Sequence, residues 1–175
     1  LPTPESALPT SGSVRYSLAG GTASASFGSF NTSQQLVTTH DIGQVSSGNL
    51  VVDFGNATTQ LSLGISGFSK ASNLQALNIS GSGILNSASS ALTFGNMNVL
   101  ANQGTLECTS CSASANGQFF GAVSPISQST QNAPVAAGLT YNITGTVQAT
   151  QPASIDVKGA AGFANPIIFT PNTGG

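Results

Sequence analysis

The chain has 175 residues, enough for one domain with a sizeable core. Arg15, Lys70 and Lys158 stand against Glu5, Asp41, Asp53, Glu107 and Asp156, so 5% of residues are charged and the net charge is -2. That balance excludes the basic footprint of a nucleic-acid binder or a polybasic membrane anchor. No apolar run has the length of a membrane-spanning helix. Ser, Thr, Asn and Gln supply the polarity at about two-fifths of the chain, beside 21 glycines. So little charge also means little repulsion between copies, so self-contact is tolerated; the surface reads either as the Ser/Thr exterior of a secreted protein or as one evolved to pack against itself. Two cysteines, one methionine and no tryptophan suit an oxidising exterior. The start at Leu1-Pro2-Thr3-Pro4 is that expected of a processed or trimmed product.

Residues 1–12 hold Pro2, Pro4 and Pro9 among small polar residues and read as an extended arm. From Ser13 a period of two sets in. Val14, Tyr16 and Leu18 share one face, and Ser13, Arg15 and Ser17 share the other. The region Ala23 to Ser47 is less regular; Phe27, Phe30, Leu36 and Val37 predict an irregular excursion or an extra strand over the core. Leu50, Val52 and Phe54 resume the alternation, and Leu61, Leu63 and Ile65 continue it after a hairpin loop at Gly55-Asn56-Ala57.

Leu77 and Ile79, Met97 and Val99, then Phe119 and Val123 repeat the pattern. Asn116-Gly117 supplies the positive φ angles of a tight reversal and predicts a hairpin there. Leu139, Tyr141 and Ile143 alternate with Thr140, Asn142 and Thr144; Ile155 and Val157 alternate with Asp156 and Lys158. Helical spacing is nowhere sustained, and the short-helix candidates are Ser87 to Ala91 and Gln128 to Ala133. About eight strands with polar turns predict an all-β fold, a closed antiparallel barrel or a sandwich. Closure removes exposed edges in a chain with few lysine gatekeepers. An outer-membrane barrel needs aromatic girdles, for which two tyrosines and no tryptophan are a poor supply.

At the C-terminus, Ile167, Ile168 and Phe169 are bracketed by prolines. Proline cannot donate to a ladder, so residues 164–175 predict a tail that serves as an edge or added strand beyond a barrel at 13–163.

Four segments together resemble a known family. Pro9-Thr-Ser-Gly-Ser-Val-Arg-Tyr-Ser-Leu18, Leu50-Val-Val-Asp-Phe-Gly55, Cys111-Ser-Ala-Ser-Ala-Asn-Gly-Gln-Phe-Phe-Gly121 and Ala136-Ala-Gly-Leu-Thr-Tyr-Asn-Ile143 are similar to the transferrin-binding-protein-B-like β-barrel domain. The resemblance covers about residues 9 to 163. It implies an eight-stranded, up-and-down antiparallel barrel of lipocalin-like shape on an exported proteobacterial surface or secreted protein. It implies no enzyme. Some members bind host iron proteins or haem through variable loops, none of whose contact residues match here. The chain also lacks a lipidation cysteine at its start and the charged loops of the pathogen receptors.

Cys108 and Cys111 admit three readings: a redox C-x-x-C, half of a zinc site, or a local disulfide. A redox pair needs a helix N-terminus, and zinc needs two ligands beyond the cysteines, which His40 alone cannot supply, so the local disulfide is preferred. His40 and Asp41 adjoin, but neighbours in an extended segment point to opposite sides, against a triad. Asp53 and Glu107 are weighed as a glycosidase pair, with Asp53 on the solvated face. Asn31, Asn56, Asn78 and Asn142 open glycosylation-type triplets, as chance produces in so Asn-, Ser- and Thr-rich a chain. No catalytic, cofactor or metal site is predicted. The expectation is a non-enzymatic exported or cell-surface protein that assembles with copies of itself into filament-like structures. Assembly would proceed by strand addition through Ile167, Ile168 and Phe169 or through the arm at residues 1–10. The alternative is a binding module for a small apolar ligand, haem or a partner protein.

Overall fold

The computed structural model describes residues 1–70, 74–104, 107–148 and 152–170. Among them the alternation becomes eight strands: β1 (Ser13–Phe30), β2 (Leu36–Asp53), β3 (Thr58–Ser66), β4 (Ala76–Asn86), β5 (Ala91–Ala101), β6 (Cys108–Pro125), β7 (Asn132–Gln148) and β8 (Pro152–Ile168). Each is antiparallel to the next, and β1 also pairs with β8, so the sheet closes into an up-and-down barrel. Short connections place successive strands side by side, and the final pairing leaves no free flank along most of the wall. The arm and the turns β2–β3, β4–β5 and β6–β7 lie at one end, the floor. The turn β1–β2 lies at the opposite end, the mouth, with the ends of β3, β5 and β7 and the starts of β4, β6 and β8.

Ala23 to Ser47 is no excursion but the mouth halves of β1 and β2, joined by a turn at residues 31–35. Register shifts lie between Leu18 and Gly20 and between Val45 and Ser47. Beyond them the inward set changes from Val14 and Tyr16 to Ala23, Ala25 and Phe27 on β1. On β2 it changes from Val52 and Leu50 to Val45 and Asp41. A bulge inserts one residue and reverses the parity, which hides a continuous strand from a linear reading.

Asn116-Gly117 is likewise not a reversal. Both residues lie within β6, opposite Thr140 and Leu139. Gly117 is needed for close approach, since a Cβ there would stand 2.6 Å from Gly138 O and 2.8 Å from Leu139 Cβ. The two helix candidates are turns that lead into β5 and β7, and among the described residues helical geometry is confined to short 3-10 segments at Glu5–Ala7 and Asn102–Gly104.

Inside, Phe119 packs between Tyr16 and Phe54 at ring-centroid distances of 5.7 and 5.8 Å. Leu50, Leu63, Ile65, Leu77, Ile79, Phe94, Ile143 and Phe163 fill the rest of the axis and are fully buried. The Tyr16 hydroxyl donates to Pro134 O at 3.0 Å, which satisfies it in a site where burial raises its pKa. Tyr141 donates to Thr22 O at 2.9 Å, and burial pushes its pKa up to about 12.

Both ends of the chain pair within the molecule. At the floor, β6 overhangs β5, and the arm lies along the overhang. Thr3 N–H donates to Phe119 O at 3.0 Å, Gly121 N–H donates to Leu1 O at 3.2 Å, and Pro2 bridges Phe120. Ser90 Oγ donates to Thr3 O at 2.7 Å, and Leu8 joins the core cluster. The segment predicted as a C-terminal tail continues β8 as far as Ile168, with Ile167 opposite Arg15 and Ile168 opposite Val14. Phe169 N–H then donates to Ser13 O at 2.9 Å. Asn165 and Pro166 occupy a bulge between the pairs Ser17↔Ala164 and Arg15↔Ile167, where the missing proline N–H costs no ladder bond. Residues 171–175 of that segment lie outside the described residues.

Replacing Phe119 by Ala empties the centre of the aromatic trio. The expected loss is about 3–5 kcal/mol in urea unfolding; a loss under about 1 kcal/mol would mean that the trio does not hold the floor together.

Candidate functional site at the barrel mouth

The strands are unequal in length. β1, β2 and β6 have 18 residues and β7 and β8 have 17, but β3 has 9 and β4 and β5 have 11. β3 leaves β2 at the pair Gln44↔Ser66, while β1 and β2 stay paired out to Phe30↔Leu36. The β1–β2 hairpin therefore rises past its neighbour. Its turn is shaped by Asn31, whose Oδ1 accepts from the N–H groups of Ser33 and Gln35, both at 2.9 Å.

Along Leu36–Gly43 one flank of β2 is paired to β1, and no described strand pairs with the other. The direction of the backbone groups follows from two bonds. Asn31 N–H donates to Gln35 O at the turn, and Phe54 N–H donates to Gly12 O at the floor. Both fit a strand whose inward residues turn their N–H and C=O toward β1. The outward residues Leu36, Thr38 and His40 turn theirs to the open flank. Around this edge the molecule exposes apolar side chains: Phe30 is 58% exposed, Leu36 64%, Val37 43% and Ile42 77%.

Below the open stretch, the residues after β3 fold over the mouth. Phe68 packs edge-on to Phe27 at 5.5 Å. Asp41 faces inward and its carboxylate accepts from Lys70 N–H at 2.7 Å, Ile42 N–H at 2.8 Å and Ser69 Oγ at 3.3 Å. Burial acts to raise its pKa, but these bonds and the Lys70 charge outweigh burial and lower it.

Cys108 and Cys111 form a disulfide. It spans a bulge, since Thr109 opposes Thr146 and Ser112 opposes Thr144, with Ser110 and Cys111 unpaired between them. Ser110 takes φ 53° there. Gly145 lies beneath the bridge, where a Cβ would strike Cys111 Sγ. This part of β6 pairs with β7 alone, because its pairing with β5 stops at Met97↔Ala113.

The other sequence candidates are scattered. His40 is exposed on the outer wall, its Nδ1 3.1 Å from Ser26 Oγ, while Asp41 points inward and is bonded to the loop. Asp53 caps the β2–β3 turn at the floor, accepting from Asn56 Nδ2 at 2.7 Å, Gly55 N–H at 2.9 Å and Asn56 N–H at 3.1 Å. The bond from the Asn56 side chain leads the causes that lower its pKa. Glu107 precedes β6 at the mouth, the opposite end, so the two carboxylates form no pair. Ile167 and Ile168 are held in the wall by β1. On the outer wall, Gly20, Gly138, Gly162, Asn116, Thr140 and the Phe120 ring line a shallow trough of about 610 Å³.

No family model matches the chain, and no curated protein matches it. Among solved structures, the crystal structure of HpuA from Kingella denitrificans in complex with human haemoglobin is similar over 99% of this chain and 52% of that one. The identity is 13% and the TM-score 0.44. The chain thus spans about half the length of that structure.

Two devices at the mouth have separable effects. Asp41→Asn is expected to cost about 1–3 kcal/mol, seen as a lowered melting temperature. Asp41 and Asp53 have lowered folded pKa values, so their stabilisation is complete above the ordinary carboxylate range and is lost as pH falls through the lowered values. The stability difference between wild type and Asp41→Asn therefore shrinks from pH 7 toward pH 2; parallel curves would contradict the assignment. Reducing Cys108–Cys111 opens only a short loop and is expected to cost at most about 2 kcal/mol. Circular dichroism should keep its strand signal under dithiothreitol.

Proposed function

We propose that this protein is a non-enzymatic binding module of an exported or cell-surface kind, and that it binds with its exterior at the β1–β2 projection. One observation carries the reading: the mouth exposes Phe30, Leu36, Val37 and Ile42 around a strand flank that no described strand pairs, while the axis is filled by buried side chains. Exposed apolar groups clustered at a raised edge are the usual mark of a contact surface. A ligand in the centre would instead have to displace Tyr16, Phe94, Phe119 or Phe163.

The Ser, Thr, Asn and Gln composition and the resemblance to the transferrin-binding-protein-B-like domain support export and placement outside the cell. Scattered His40, Asp41, Asp53 and Glu107 support a role without catalysis. The neighbour HpuA was solved with haemoglobin, and that partner is a property of that protein. Assembly through the chain ends is not part of this reading, since Leu1–Thr3 pair with β6 and Ile167–Ile168 pair with β1 of the same chain.

The test separates exterior from interior binding. At about 1 µM protein, 8-anilinonaphthalene-1-sulfonate should fluoresce on the wild type, and the signal should fall at least about twofold in Phe30→Ser/Leu36→Ser. Haem should add no stoichiometric Soret band. Haem uptake that survives the rim substitutions but changes with Tyr16→Phe would move the site indoors and overturn the proposal.

A further inference from the structure

We infer that the open flank of β2 is completed by the same flank of a second copy, the two Leu36–His40 stretches pairing antiparallel about a two-fold axis at Thr38. The inference rests on the reading above and names the partner for the projection.

The groups on this flank specify a strand as occupant. Leu36, Thr38 and His40 direct N–H and C=O outward along one line, and Leu36, Val37, Thr38 and His40 are exposed. The same barrel shows what it accepts in that position: at the floor, the overhang of β6 is covered by the extended backbone of Leu1–Thr3. The mouth has an overhang of the same kind with no extended segment on it among the described residues.

Symmetry and charge select a second copy. Antiparallel pairing of a stretch with itself sets Thr38 opposite Thr38 and Leu36 opposite His40, all of them outward residues that carry the free groups. Three such pairs exchange about six ladder bonds. Outer face continues into outer face, so the Phe30 and Leu36 pair of each copy runs on to His40 of the other, on either side of the central Thr38 pair. Gly28 to Thr39 contains no charged residue. The next ionic group, Asp41, faces the mouth and is held by Lys70 N–H, Ile42 N–H and Ser69. Leu36 to His40 holds no lysine or proline, the devices by which edge strands avoid their own kind, and Lys70 stands beyond its lower end against Asp41. The contact is short and belongs to the weak class of interfaces.

Two substitutions test the pairing without touching the β1 ladder. Thr38→Pro removes an outward N–H, and Leu36→Lys/Thr38→Lys puts like charges on both sides of the axis. Sedimentation velocity on the full chain from about 1 µM to about 1 mM should show a concentration-dependent dimer. Both variants should weaken it at least about tenfold while keeping the wild-type circular dichroism. If Thr38→Pro fails to fold, the lysine variant carries the test. Amide exchange adds a pattern that general stickiness would not give: on dimerisation Leu36, Thr38 and His40 gain protection, while Val37 and Thr39 are protected in the monomer already. A wild type that stays monomeric to about 1 mM, or a dimer unchanged in both variants, overturns the inference. In the first case, retained dye binding at the rim leaves the binding-module reading standing.

Discussion

A β-strand pairs all its backbone groups within protein only when both flanks have a partner, and a barrel built from long and short strands cannot supply partners everywhere from its own wall. Much of what is distinctive here follows from that constraint. β3, β4 and β5 are little more than half as long as the other strands, so β6 overhangs at the floor and β2 at the mouth. The floor is completed by Leu1–Thr3, with Ser90 and Thr3 side chains sealing the corner. The mouth is completed only as far as Asp41, where a buried carboxylate gathers the residues after β3.

Packing and function are linked through the aromatic content. Of the aromatic residues, Tyr16, Phe94, Phe119 and Phe163 are fully buried, with Phe54 beside them. A barrel of eight strands has an interior about wide enough for side chains to fill, and here they fill it. Recognition is then left to the outside. The outside carries few charges, so contact there must come from backbone hydrogen bonds and apolar burial, which are the two resources of the β1–β2 projection.

The irregularities in the wall serve the same economy. The bulges at Leu18/Gly20 and Val45/Ser47 turn Ala23, Phe27 and Asp41 inward above the level where Tyr16 and Leu50 point inward. The bulge at Asn165-Pro166 lets a proline-bearing segment end β8 without an orphaned acceptor on β1. The bulge under Cys108–Cys111 gives β6 its own closure where β5 no longer accompanies it. Each bulge breaks the period of two, and each coincides with a place where the linear pattern is misleading.

The order of side chains by itself determined the all-β class, the turn at Gly55-Asn56-Ala57 and the faces of Leu50, Val52, Leu61, Leu63, Leu139, Tyr141 and Ile143. These are local facts, because alternation needs only the pleat. It also separated His40 from Asp41, since adjacent residues in a strand must diverge. Tertiary structure alone decided that Asn116-Gly117 stays extended, because Gly138 and Leu139 press on it from another strand. It alone decided that the Pro-flanked ends pair within their own chain, and that Phe30, Leu36 and Val37 face solvent and not core. Those outcomes depend on which strand ends where relative to its neighbour, and strand lengths are matched only when the sheet closes.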